Sequence, residues 1–220
     1  MLLCCHMDIK YIGHSCFQLK SKLGSVVTDP FDVSTGLKLP ALEADIVTVS
    51  HGHADHNFTS TITGDPLIIE YPGEYERNGV RVYGYESYHD DEMGAKRGKN
   101  TLFKIVIEDI NILHCGDLGH MLTEETLEEI DVIDILLIPV GGFYTIGADE
   151  AVKIISKIEP SIVIPMHYKT DQHSNEIFKD VAPVSQFLEK IGAPQTEPEK
   201  KLTLKKSDLT DQMRVIVMET

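Results

Sequence analysis

The chain has 220 residues, and 20 lysines and arginines stand against 35 aspartates and glutamates, a formal net charge of −15. An apolar content of 42% and a charged content of 25% are ordinary for a globular chain; the length suits one domain over 1–220, or two closely fused halves with one continuous core. The acidic balance argues against a nucleic-acid surface, which needs clustered positive charge.

The start, MLLCCHMDIK, is too short and too weakly apolar for a secretory signal. No run approaches the ~20 apolar residues of a membrane span, so a cytoplasmic protein is expected. Cys4, Cys5, Cys16 and Cys115 include no CxxC pair. Neither a disulfide framework nor a cysteine-built zinc site is expected.

The first half reads as short strands. DIKYIGHSCFQL (8–19), SVVTDP (25–30), ADIVTVS (44–50), PLIIEY (66–71) and VRVYGY (80–85) are rich in β-branched and aromatic residues and bounded by Gly, Pro and Asp. NTLFKIVIEDINILHCGD (100–117) predicts a hairpin turning near Glu108–Asp109. The second half alternates helix and strand. LTEETLEEI (122–130) predicts a helix capped by Thr123, with acidic residues where the helix dipole favours them. DILLIPV (134–140) is a buried strand, and ADEAVKIISKI (148–158) an amphipathic helix capped by Asp149. SIVIPM (161–166) is a strand, PVSQFLEKIG (183–192) a helix ending at a glycine, and RVIVM (214–218) a closing strand.

Polar residues fall at strand ends. Asp29 follows SVVT, His51 follows IVTVS, Asp117 follows NILHCG and His167 follows IVIPM. Buried strands that each end in an ionisable residue predict one shared site at the rim of a sheet. The stretch SHGHADH (50–56) concentrates the signal. Alternate residues of an extended turn can face one side, so His51 and His53 can grip one cation while Asp55 and His56 hold a second. Imidazole and carboxylate suit zinc and similar divalent ions. A histidine-rich loop without metal is the alternative.

YIGHSCFQL (11–19), TDP (28–30), SHGHADH, HCGDLGH (114–120) and IPMHY (164–168), in that order, resemble the metallo-β-lactamase fold superfamily. Nearly the whole chain shares the likeness, which is greatest to the small single-domain metal-dependent hydrolases. The resemblance implies an αββα sandwich, two mixed β-sheets face to face with helices outside. It implies two divalent ions, zinc foremost, with manganese or iron as alternatives. His51, His53 and His89 would hold the first, and Asp55, His56 and His167 the second, with Asp117 bridging both. A hydroxide shared by the metals would attack a carbonyl carbon or phosphorus.

Within the superfamily, His56 disfavours the true β-lactamases, which lack a histidine after the aspartate. His53 disfavours the flavin-linked di-iron members, which carry glutamate there. Neither the added C-terminal helical domain of the thiolester-cleaving members nor the basic arm of the transfer-RNA-processing members is expected in this chain. The expected activity is hydrolysis of an ester, lactone, amide or related bond in a small molecule. A phosphodiesterase or nuclease-type member is one alternative, and a non-catalytic metal-dependent ligand-binding protein is another. The oligomeric state is open.

Other residues have two readings. Asp55, His14 in GHSC and His120 in GDLGH are candidate catalytic groups; structural histidines are the alternative at 14 and 120. His114, three residues before Asp117, points away from the metals. Asp29 is either a partner for a ligand histidine or a turn residue. GAKRGKN (94–100) is a basic island, and Arg97 could receive a carboxylate or phosphate. Tyr144, in PVGGFYTIG, could flank substrate. A solvated loop and a plain turn are the alternatives.

Overall fold

The computed structural model describes residues 6–220; Cys4 and Cys5 lie outside the described residues. In chain order the first half contains β1 (Met7–Gly13), β2 (Cys16–Lys20), β3 (Ser25–Thr28), β4 (Leu42–Glu43), β5 (Ile46–Thr48), β6 (Ile62–Thr63) and β7 (Leu67–Ile69). Then come β8 (Gly73–Arg77), β9 (Val80–Tyr88), β10 (Lys99–Ile107), β11 (Ile110–His114), α1 (Glu124–Ile130), β12 (Ile135–Pro139) and α2 (Ala148–Ile158). The chain closes with β13 (Ile162–Met166), α3 (Val184–Lys190), β14 (Leu202–Leu204) and β15 (Arg214–Val215).

Two mixed sheets result, in the orders β14-β1-β2-β3-β5-β7 and β15-β13-β12-β11-β10-β9-β8, with β4 and β6 pairing separately. Alternation sorts the side chains. Phe17, Val26 and Ile46 enter the large core shared by both sheets, whereas their neighbours Cys16, Val27 and Val47 join a smaller cluster with Phe31, Leu37 and Ile62. A period of two sends adjacent residues to opposite faces, so that smaller cluster lies on the outer face of the first sheet. Over the second sheet, α1, α2 and α3 contribute Ile130, Ile154 and Phe187 to the large core. The fold is the αββα sandwich. Its outer layer on the first sheet is thin, since the residues that cover it belong to loops and to β4 and β6.

Local chemistry explains most boundaries. Thr123 caps α1, accepting from the N–H of Thr126. The β10–β11 hairpin turns at Glu108 and Asp109, both at positive φ. Two expectations need correction. The N-cap of α2 is Gly147, not Asp149, which sits in the first turn; Glu150 reaches back to the Gly147 N–H. The closing strand spans only Arg214–Val215, and Met218 makes an isolated bridge to Glu199. The strands β4, β6, β8 and β14 fall outside every strand expected from the sequence.

Topology sets the site. β3 and β5 are parallel, as are β11, β12 and β13. β9 is antiparallel to β10, which is antiparallel to β11, so β9 runs with β11. Asp29, His51, His89, Asp117 and His167 each follow one of these strands closely and emerge at one rim.

Candidate metal centre

Asp117 is the hub. Its Oδ2 lies 3.2 Å from His89 Nε2, 3.2 Å from His167 Nε2 and 3.9 Å from His51 Nε2. Its Oδ1 lies 3.2 Å from His56 Nε2. One group of donor atoms comes from His51, His53 and His89, and a second from His14, Asp55, His56 and His167; His51, His56 and Asp117 form a third that joins them. Donors within each group lie within 4.8 Å of one another. The residues expected to hold metal are thus brought together, and His14, expected only as a catalytic or structural histidine, is itself a member of the second group. His14 Nε2 is 3.1 Å from His56 Nε2 and 3.4 Å from Asp55 Oδ2.

The backbone that presents these groups is unusual. His14, Asp29 and His167 all have positive φ, and the His167 N–H donates to the His14 carbonyl at 2.9 Å. Asp117 is held by Asn100, whose Oδ1 accepts the Asp117 N–H at 2.9 Å and whose amide donates to Ser87 Oγ and the Cys115 carbonyl. Gly116, at φ +52, lets this turn pass Asn100 and Ser50.

Asp29 orients two imidazoles. Its Oδ2 accepts from His56 Nδ1 at 2.8 Å and from the Ser50 hydroxyl at 2.6 Å. That hydroxyl proton is spent on the carboxylate, so Ser50 Oγ accepts Nδ1–H from His51 at 2.9 Å. Both histidines therefore turn unprotonated Nε2 lone pairs toward Asp117 when neutral, the state a metal ligand requires.

Burial and neighbouring charge shift these groups in opposite directions. Burial, reinforced by the neighbouring His56, holds His51 down to about 3. Burial, with His167 nearby, does the same to His14, also to about 3. His56 goes the other way. Burial opposes its charge, but Asp117, Asp55 and Asp29 outweigh burial and raise it well above the ordinary histidine value. Asp117 is driven well below the usual carboxylate range by His167 and His56, against the upward push of burial. A buried imidazole ringed by three carboxylates is an environment that asks for positive charge. Asp117 Oδ1 is itself buried with no aligned hydrogen-bond donor among the described residues. Several imidazoles, two carboxylates and this orphaned oxygen fit divalent cations of the zinc type.

The remaining expected residues divide. Asp29 hydrogen-bonds a ligand candidate, as expected. His114 turns away, its Nε2 on the Ser15 carbonyl and its Nδ1 on the Gly116 N–H. His120 is corrected: Nε2 accepts from the Tyr88 N–H and Nδ1 donates to the Met121 carbonyl. No nitrogen remains for catalysis, so its role is to fix the end of β9. Arg97 and Tyr144 line a cleft of about 270 Å³ together with His53, Asp55, His89, Asp117 and His167. The Tyr144 phenol donates to the Ile177 carbonyl at 3.0 Å, so its hydroxyl proton is already committed. Ser50 and Asn100 were missed. Asn100 leaves a trace in the sequence as the polar residue heading the apolar run TLFKIVI.

A family model described as the beta-lactamase superfamily domain matches residues 8–167. The UPF0173 metal-dependent hydrolase MJ1163 of Methanocaldococcus jannaschii is 30% identical over 218 residues, 84% of this chain and 98% of that protein. The UPF0173 metal-dependent hydrolase Ta0764 of Thermoplasma acidophilum is 30% identical over 190 residues, 75% and 84% of the two chains. A solved Thermotoga maritima structure, described as a candidate zinc-dependent hydrolase of the metallo-beta-lactamase superfamily, superposes with a TM-score of 0.79 at 38% identity, covering 96% of this chain and 98% of that one. The chain belongs to the metallo-β-lactamase superfamily and, within it, to the UPF0173 metal-dependent hydrolases. No helix among the described residues is long and apolar enough to cross a membrane.

Proposed function

We propose that this chain hydrolyses an ester, lactone, amide or related bond in a small molecule, using two divalent ions. His51, His53 and His89 would hold one, and Asp55, His56 and His167 the other, with Asp117 reaching both. The observation that carries this reading is the single Asp117 carboxylate facing imidazoles of both donor groups within 3.9 Å. Zinc suits these donors best, with manganese or iron as alternatives.

When bound, such ions lower the pKa of a coordinated water toward neutrality and polarise the attacked carbonyl or phosphoryl group. The chain does the positioning. Asp29 and Ser50 lock the tautomers of His56 and His51. Asn100 fixes Asp117, and His14, neutral at working pH, donates toward Asp55. Substrate enters by the cleft that Arg97 and Tyr144 border. The presence of Arg97 and Lys96 in that cleft favours phosphodiester cleavage as the second reading.

The test is elemental analysis of the wild type and His53→Ala, followed by an ester, lactone and phosphodiester panel. About two divalent ions per chain, reduced in the variant, with turnover on the panel, are expected. A wild type that holds no metal after reconstitution overturns the reading; metal without turnover points to a ligand-binding protein.

A further inference from the structure

The loop after β9 is hung on one side chain. Asp90, next to His89, accepts four backbone N–H groups: Glu92 and Gly94 on Oδ1, each at 2.9 Å, and Lys96 and Arg97 on Oδ2, at 3.0 and 2.7 Å. The His89 N–H closes the base of the loop on the Gly98 carbonyl at 3.0 Å. The loop's shape is therefore built in, and anchored beside a candidate metal ligand.

Its three cations are not equivalent. Lys96 is paired with Glu92 at 2.6 Å and Lys99 with Glu86 at 3.2 Å. Arg97 makes no such pair among the described residues. Its guanidinium is steadied without charge: Nη2 donates to the Phe143 carbonyl at 3.1 Å, and the group lies 5.8 Å from the centre of the Tyr144 ring. One N–H is spent there and the others remain. Arg97 lines the 270 Å³ cleft with the candidate ligands and also a neighbouring cleft of about 550 Å³ with Gly52, Tyr71 and Pro72. His53 is the other residue common to both clefts. The carboxylates facing it are Asp55 and Asp117, which belong to the donor groups, and Glu70 and Glu86, of which Glu86 is paired with Lys99.

We infer that Arg97 is the anchor for an anionic group, a carboxylate or a phosphate, carried by the substrate next to the bond that is cleaved. The inference rests on the hydrolase reading above. The bond lies in the smaller cleft, and the rest of the molecule extends past His53 into the larger one. A chain of charge −15 repels anions from afar, so an anionic substrate needs one local cation. A guanidinium matches carboxylate or phosphate with two parallel bonds. Prior fixation by Phe143, Tyr144 and the Asp90-bound backbone reduces the ordering needed on binding. The anion itself takes no part in bond cleavage.

The test uses the zinc-reconstituted protein, with Arg97→Ala and Arg97→Lys as variants checked for unchanged melting. Calorimetry with benzoate, phenyl phosphate and neutral benzamide reads binding directly. At least one anion is expected to bind the wild type, to weaken about tenfold or more in Arg97→Ala, and to recover only in part in Arg97→Lys. Benzoate against phenyl phosphate decides which anion the site takes. The KM for a matched anionic ester, monophenyl succinate, should rise in Arg97→Ala with little change in kcat. Failure of both anions to bind, or equal binding by wild type and Arg97→Ala, overturns the inference, and ester turnover under that result leaves the hydrolase reading intact. Arg97-dependent anion binding with no turnover of any ester keeps the subsite and removes the hydrolase reading.

Discussion

Asp29 Oδ2 and His56 Nδ1 meet at 2.8 Å, and both side chains are fully buried. This contact holds the His56 ring with its Nε2 toward Asp117, 3.2 Å from Oδ1. Asp29→Asn replaces the acceptor with a group whose amide can oppose the His56 N–H. Divalent-ion affinity should fall roughly 10–100-fold, read by competition with a chromophoric chelator. Unchanged affinity would mean that His56 is oriented by other contacts.

Gly116 and Gly52 flank the same site and should respond oppositely. A Cβ at Gly116 would lie 2.4 Å from Asn100 Oδ1 and 2.5 Å from Ser50 Cβ, on a backbone at φ +52. Gly116→Ala should cost at least ~2 kcal/mol in urea unfolding. Nothing lies within 4 Å of a Cβ at Gly52, and Gly52→Ala should change stability by less than about 0.5 kcal/mol.

Asn100→Ala should cost roughly 1–3 kcal/mol, because buried partners on Asp117, Ser87 and Cys115 lose their hydrogen bonds together. Metal retention through gel filtration should fall as well, since the Asp117 turn is no longer pinned. A variant with wild-type urea midpoint and full metal content would show that Asn100 is dispensable.

The metal-free chain should lose stability on acidification. His14 and His51 titrate near 3 when folded, and His173, held down chiefly by burial, near 4; unfolded histidine titrates near 6.5. Between these values the unfolded chain binds more protons, so each group removes about 1.4 kcal/mol per pH unit as pH falls. His56 is raised instead: its contribution is complete below about 6.5 and fades only as pH rises through its folded value. From about pH 6 to 4 the three lowered groups therefore dominate. Urea midpoints measured in chelator at pH 7, 6 and 5 should decline; a flat profile would contradict the buried, neutral histidines.

The legible part of this protein is the part where chemistry restricts residue choice. Few side chains bind divalent ions, so His51, His53, Asp55, His56, Asp117 and His167 stand out at the ends of apolar strands. Apolar runs such as TLFKIVI also declare themselves. β8 (GEYER) does not, because as an edge strand it is largely exposed and carries no apolar alternation. Asn100 and Ser87 face each other only through the register of β9 and β10, a long-range relation that no local pattern encodes. The sequence points to Asp149 as the cap of α2 because it has the better capping side chain, whereas the chain turns at Gly147 and uses Glu150 from inside the helix. His120 looked chemical by its neighbours, yet its nitrogens serve the backbone.

Asp29 has a consequence for how this protein can diverge. It supports His56 directly and His51 through Ser50, so one codon governs both donor groups. A lineage drifting toward a one-ion chemistry has no easy path through position 29, where any change weakens the two halves together. His53 is different, an exposed side chain at the junction of two clefts. On the two-ion reading proposed above, evolutionary loss of one ion is therefore cheapest at His53, and descendants of this chain that abandon it should be found altered there first.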